Sequence, residues 1–158
     1  LPDSLRTPDG LRLHLHRWPG DGTRGTVLLV HGLGEHGGRY AHVAPWLAER
    51  GLRCIGYDHR GHGRSEGARG VIAHDRALFE DLGVVVNAVR TAERPFILLG
   101  HSMGGAVVAD FVARRVRAAD LVVLSSPALK ARLNPFQRLQ LAIGTRFLPD
   151  VALANGLD

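Results

Sequence analysis

The sequence predicts an α/β fold: a mostly parallel sheet whose strands are joined by crossover helices. Three observations carry that expectation. Short apolar runs alternate with longer stretches of helical periodicity, the order a parallel sheet with crossover helices requires. The run Thr26–Val30 is continuously apolar, as suits a strand covered on both faces. Glycine makes up 20 of 158 residues, nearly twice the usual share of about 7%. The glycines gather after apolar runs: Gly32, Gly34, Gly37 and Gly38, then Gly61, Gly63, Gly67 and Gly70, then Gly100, Gly104 and Gly105. Such clusters mark sharp turns and close backbone approaches.

Taken in order, Leu11–His16 alternates strictly and reads as a strand with Leu11, Leu13 and Leu15 on one face. His14 and His16 share the other face and could hold a metal. No third ligand is evident nearby, so a solvated strand face is the reading adopted. Asp21 and Gly22 mark a turn, and Thr26–Val30 is the next strand, ending at His31-Gly32. Tyr40, Val43, Ala44 and Leu47 recur at helical spacing until Gly51 stops them. Arg53–Tyr57 is a third strand. Leu78, Leu82, Val85, Val86 and Val89 form one helical stripe. Pro95 introduces a fourth strand, Phe96–Leu99. Met103, Val107, Val108, Phe111 and Val112 form a second stripe, and Leu121–Leu124 a fifth strand. The Gly-rich turns all follow strands. In parallel sheets ligands bind at the carboxyl ends of the strands, so the glycines converge on one edge where a site is expected.

Composition narrows the class. Apolar residues are 45% and charged residues 22%, near globular averages, which argues against wholesale disorder. No apolar run reaches the roughly 18 residues of a membrane helix. The lone Cys54 rules out an intramolecular disulfide framework and a Cys-rich zinc site. The net charge is +5, yet the basic residues, all Arg but Lys130, are scattered. No basic block interleaves with aromatics, so nucleic acid is not an expected partner. These features fit a soluble, cytoplasmic protein. The sequence opens at Leu1 without Met or a signal-peptide pattern, which suggests a segment removed or a piece of a longer protein.

The sharpest motif is G-x-S-x-G at Gly100–Gly104, between a strand and a helix. A Ser on such a turn projects its hydroxyl from strained backbone at a helix N-terminus, where backbone N–H groups and the helix dipole favour a developing oxyanion. Gly100 and Gly104 are required because strand and helix pass too close for a Cβ, and His101 completes the turn. Ser102 is therefore the expected nucleophile. A tetrahedral intermediate needs two N–H donors. The residue after the Ser, Met103, supplies one, and Leu33 in His31-Gly32-Leu33-Gly34 is the candidate for the other.

Four segments in register carry a resemblance: His31–Tyr40, Asp58–Gly67, Gly100–Gly105 and Ser125–Ala128. Together they resemble the monoacylglycerol lipase and lysophospholipase branch of the α/β-hydrolases, grouped also with serine aminopeptidase-like S33 hydrolases. The resemblance covers essentially the whole chain and implies the N-terminal part of an α/β-hydrolase fold. It implies Ser102 as nucleophile, the Leu33 and Met103 amides as oxyanion hole, and His31 with Gly32 as supports of the loop. Glu35 and Arg39 match positions at the polar end of the pocket, near the glycerol of a monoglyceride. Residues 1–127 would be the hydrolase core and 128–158 the beginning of a helical cap. That cap could meet a membrane surface. The implied substrates are acyl esters of lipids, and acyl transfer through Ser requires no metal or organic cofactor.

One departure stands out. This fold carries its triad in the order Ser, acid, His, and none of the nine histidines follows Ser102. Asp110 and Asp120 sit on a helix and at a strand start, and Asp150 and Asp158 fall in the cap-like stretch. Asp58 and His59 are adjacent on a strand end and point to opposite faces. The acid and base of the triad are therefore expected beyond residue 158. The alternative is a catalytically incomplete, hydrolase-like binding module, which would not react with serine-directed probes.

Overall fold

The computed structural model describes residues 1–92, 94–114 and 119–130. Among the described residues there are six strands: β1 (Ser4–Arg6), β2 (Arg12–Arg17), β3 (Gly25–Val30), β4 (Leu52–Tyr57), β5 (Phe96–His101) and β6 (Leu121–Ser125). They form one sheet in the order β1-β2-β4-β3-β5-β6. β4, β3, β5 and β6 run parallel, while β1 and β2 pair antiparallel at one edge. The mostly parallel sheet is thus present. The short β1, paired with β2 through Ser4–His14, lacks any periodicity by which three residues could announce a strand.

The helices are α1 (Ala44–Ala48), α2 (Ala77–Val89) and α3 (Met103–Ala113). They cover both faces, which explains the continuous apolar run of β3. Its Leu28 and Val30 pack with α2 and α3 residues such as Leu82, Val85, Val108 and Phe111. Its Val27 and Leu29 pack on the other face with Ala44, Leu47 and Cys54. Burial pushes the Cys54 thiol up to about 12, so it is inert as a nucleophile at neutral pH. The stripe Tyr40–Leu47 is not one helix. Residues Gly37–His42 form a 3-10 segment, and α1 begins only at Ala44 with Pro45 in its first turn. Pro45 lacks an N–H, so it starts a helix more readily than it continues one. β6 is the outermost strand among the described residues. Leu121, Val123 and Leu124 are accordingly exposed, while Val122 packs on the core.

A buried ionic cluster fastens the loop after β4 to its neighbours. Arg60 donates to both carboxylate oxygens of Asp81 on α2, each at 2.7 Å. It also donates to Asp9 in the β1–β2 turn at 2.9 Å. Arg60 and Asp81 side chains are 4% and 0% exposed, whereas that of Asp9 is 47% exposed. Among the described residues, no helix is long and apolar enough to cross a membrane.

Candidate active site

The parallel strands end on one edge of the sheet, and the loops after β3 and β5 meet there. Ser102 follows β5 directly and caps α3 with φ +51° and ψ −118°. Non-Gly residues seldom adopt positive φ, and they persist there only when their surroundings over-determine the conformation. Three hydrogen bonds do so. Ser102 N–H donates to Ser125 O at 3.0 Å, and Ser102 O accepts from Ala106 N–H at 3.1 Å and Ala128 N–H at 2.9 Å.

The flanking glycines are dictated by contact. A Cβ at Gly100 would lie 2.6 Å from Gly104 O and 2.7 Å from Gly105 Cα. One at Gly104 would fall on the carbonyl oxygens of Val30 and His31. The helix therefore presses against the end of β3, bringing the His31–Gly34 loop onto the Ser102 turn. A Cβ at Gly32 would be 3.1 Å from Ser102 Cβ and 3.5 Å from the His101 ring.

That loop is anchored from two sides. His31 is fully buried. Its Nδ1 pairs with Gly32 O at 2.7 Å, and its Nε2 accepts from His59 N–H at 2.9 Å. The Nδ1 proton is thus the donor, and the ring is neutral. Burial is the main cause of a pKa lowered to about 4. His59 Nε2 bonds His31 O at 3.1 Å, so His59 and Asp58 do face different neighbours. On the other side, Glu35 Oε1 accepts from Gly32 N–H at 2.5 Å and from Tyr40 O–H at 3.0 Å. Its Oε2 lies 3.3 Å from Arg39. Burial, with the Glu35 charge beside it, raises the Tyr40 hydroxyl well above its ordinary value, so Tyr40 stays a donor.

With the Gly32 amide engaged by Glu35, Leu33 is the next amide along the loop. Leu33 is 49% exposed. Met103 is the first residue of α3, where an N–H has no intrahelical acceptor. A hollow of about 210 Å³ opens beside the turn, bordered by Glu35, Arg39, Tyr40, Leu99, His101 and Ser125. His101 Nδ1 and Ser125 Oγ share a 3.2 Å hydrogen bond across its floor. Glu35 and Arg39 border this hollow together with His101, the residue before Ser102. The Glu35 carboxylate, however, is largely turned to the loop. Its grip on Gly32 was not legible, although the spacing of three residues inside a Gly-rich loop hinted at it. Most of the expected cap segment, residues 131–158, lies outside the described residues.

Comparison with known proteins fits this geometry. The Hydrolase_4 family model, serine aminopeptidase S33, matches residues 21–158. A monoacylglycerol lipase of Mycolicibacterium smegmatis is 42% identical over 127 residues, covering 77% of this chain and 45% of that protein. The monoglyceride lipase of Rattus norvegicus is 37% identical over 154 residues, covering 96% and 50%. Among solved structures, a soluble variant of monoglyceride lipase from Saccharomyces cerevisiae, in complex with a substrate analog, superposes with a TM-score of 0.79. Its identity is 26%, over 100% of this chain and 56% of that one. The chain spans about half the length of the curated relatives it matches.

Proposed function

Because the chain belongs to the serine aminopeptidase S33 family of α/β-hydrolases and is of monoglyceride lipase type, we propose that it carries the nucleophile of a carboxylic ester hydrolase for monoacylglycerol-type or lysophospholipid-type lipids. The observation that carries this reading is Ser102, held at φ +51° against the Gly32 loop at the N-terminus of α3. Ser102 Oγ attacks the ester carbonyl carbon, and its proton passes to a histidine base. The Leu33 and Met103 amides receive the developing oxyanion, with His31, Gly32, Gly100, His101 and Gly104 shaping the turn and loop around them. The tetrahedral intermediate expels the alcohol, which takes up that proton, and leaves an acyl-enzyme. Water then attacks the acyl carbon through the same base and releases the carboxylic acid. No His follows Ser102 within the 158 residues, and burial with two engaged nitrogens makes His31 unsuitable. The reading therefore places the acid and base of the triad beyond residue 158, and residues 128–158 at the start of a cap over the acyl chain. Glu35 and Arg39 form the polar end that receives the head group.

The test is turnover by the intact protein on a long-chain monoacylglycerol, a lysophosphatidylcholine and an aminoacyl amide. The two lipid esters are expected to exceed the amide by roughly 100-fold or more in kcat/KM, within reach of differential transition-state binding. Turnover confined to the amide would contradict the ester reading.

Glu35 acts in this scheme as a positioning residue. Glu35→Ala leaves Gly32 N–H without its carboxylate and frees the loop that carries the Leu33 amide. The expected result is a fall in kcat of roughly 10- to 100-fold, below the roughly 10²–10³ cost of deleting an oxyanion donor outright, with a smaller rise in KM from the lost head-group contact. Glu35→Gln keeps an acceptor oxygen and is expected to recover most of the loss.

A further inference from the structure

Beside the Gly-rich loops after β3 and β4, three side chains from three separate segments converge. They are His16 on β2, His36 in the loop after β3, and Asp58 after β4. Each offers one ligand atom, and these atoms all lie within 4.8 Å of one another. We propose that His16, His36 and Asp58 form a binding site for a borderline divalent transition metal such as Zn²⁺.

Two imidazoles and one carboxylate suit Zn²⁺ and its neighbours in the series, not the oxygen-only preference of Mg²⁺ or Ca²⁺. Three protein ligands leave a fourth position for water or another small ligand. His16 Nε2 lies 2.7 Å from Asp58 Oδ1 in a hydrogen bond, so that pair must open to admit an ion between them. Ligand atoms around a tetrahedral Zn²⁺ at about 2.0–2.1 Å stand roughly 3.4 Å apart. His36 is the member that must draw in, and it is the exposed one of the three.

The carboxylate is prepared for such a role. Asp58 is fully buried. Gly37 N–H donates to its Oδ1 at 2.7 Å and Arg64 N–H to its Oδ2 at 2.8 Å, the kind of outer support that orients a ligating carboxylate. Two glycines make room for the cluster. A Cβ at Gly38 would stand 2.9 Å from His36 Nδ1 and 3.2 Å from His16 Cε1. A Cβ at Gly63 would collide with the Asp58 carboxylate and approach His36 Cβ to 2.9 Å. A hollow of about 560 Å³, lined also by His14, Trp18 and Arg64, reaches the cluster at His16. Metal binding would replace the His16–Asp58 hydrogen bond, with the neutral His16 ring binding through Nε2 and carrying its proton on Nδ1, and would cross-link β2 to the loop that holds Glu35 and Leu33.

The test uses the untagged full chain, stripped with a chelator and titrated with Zn²⁺ by calorimetry and with Co²⁺ by visible absorption. One ion per chain is expected, with a dissociation constant of micromolar or tighter and a tetrahedral Co²⁺ spectrum. His36→Ala, at an exposed position, and His16→Gln, which keeps a donor toward Asp58, are each expected to weaken Zn²⁺ at least tenfold. His42→Ala, exposed on the neighbouring 3-10 segment, should leave it unchanged. Circular dichroism on each variant reports that the fold is retained. Absence of binding at tens of micromolar Zn²⁺, or an affinity that survives His36→Ala, would overturn the site.

Discussion

Ser102→Ala in the intact protein is expected to lower kcat/KM for monoacylglycerol hydrolysis by about 10⁴-fold or more, with the fold preserved. Removing one oxygen deletes the atom that bonds to the acyl carbon. It leaves the Leu33 and Met103 amides and the hollow bordered by Glu35 and His101 intact. The residual rate should be that of substrate held beside an oxyanion hole and attacked by water. KM should change little. Ala at this position inherits φ +51° without a hydroxyl, and Ser125 O, Ala106 N–H and Ala128 N–H still bond to its backbone. Steady-state kinetics and circular dichroism on the same preparation check both halves of the expectation. A loss of only a few-fold would mean that another group attacks the ester.

The largest stability effect is expected at Asp81. Asp81→Ala should cost about 3 kcal/mol, measured as a shift in the urea midpoint at constant slope. Arg60 would keep its charge in a site where it is 4% exposed and lose two 2.7 Å bonds. Asp9 offers only partial compensation, because its side chain is 47% exposed. Asp9→Ala is therefore expected to cost less than about 1 kcal/mol. The paired replacement Arg60→Met with Asp81→Leu removes both charges and should recover much of the loss, since an apolar pair of similar volume avoids the desolvation that the ion pair must offset. Burial outweighs Arg60 and raises the Asp81 carboxyl, so this group binds its proton more readily in the folded chain and by itself favours the folded state as pH falls toward the ordinary carboxylate range. Equal costs for Asp81→Ala and Asp9→Ala would refute the claim that burial sets the strength of this cluster.

Much of this architecture was legible in the residues because the signals were periodic. The β3 run Thr26–Val30 is apolar at successive positions because α1 packs on one face and α2 and α3 on the other. The stripes of α2 and α3 follow from the same packing. Gly100 and Gly104 announced the turn at Ser102 because the sterics that need them act between near neighbours in sequence and the end of β3. β1 could not be seen, since three residues at an edge carry no period. The break between the 3-10 segment and α1 was hidden by a helical stripe that Pro45 interrupts.

The cluster of His16, His36 and Asp58 was missed for a different reason. His14 and His16 share a strand face, but no third ligand lies close to them in the chain. The partners lie 20 and 42 residues away, Asp58 brought over by the antiparallel pairing of β2 with β4 and His36 by the parallel pairing of β3 with β4. The β2–β4 pairing sets Leu15 opposite Tyr57 and brings Asp58 N–H to His14 O, so the Asp58 carboxylate reaches His16 across the diagonal. Local spacing identifies a strand face, and sheet register identifies what that face meets. The remaining signal was His36 and Asp58, each within a Gly-rich segment, which becomes informative only once the strand order is known.

The central claim is that Ser102 is the nucleophile, and reaction of the intact protein with a fluorophosphonate probe tests it most directly. Digestion and mass spectrometry of the adduct should place one label per chain on Ser102, lost in Ser102→Ala and slowed in Glu35→Ala. Ester hydrolysis accompanied by a label on a different serine, or by no label on Ser102, would contradict the account.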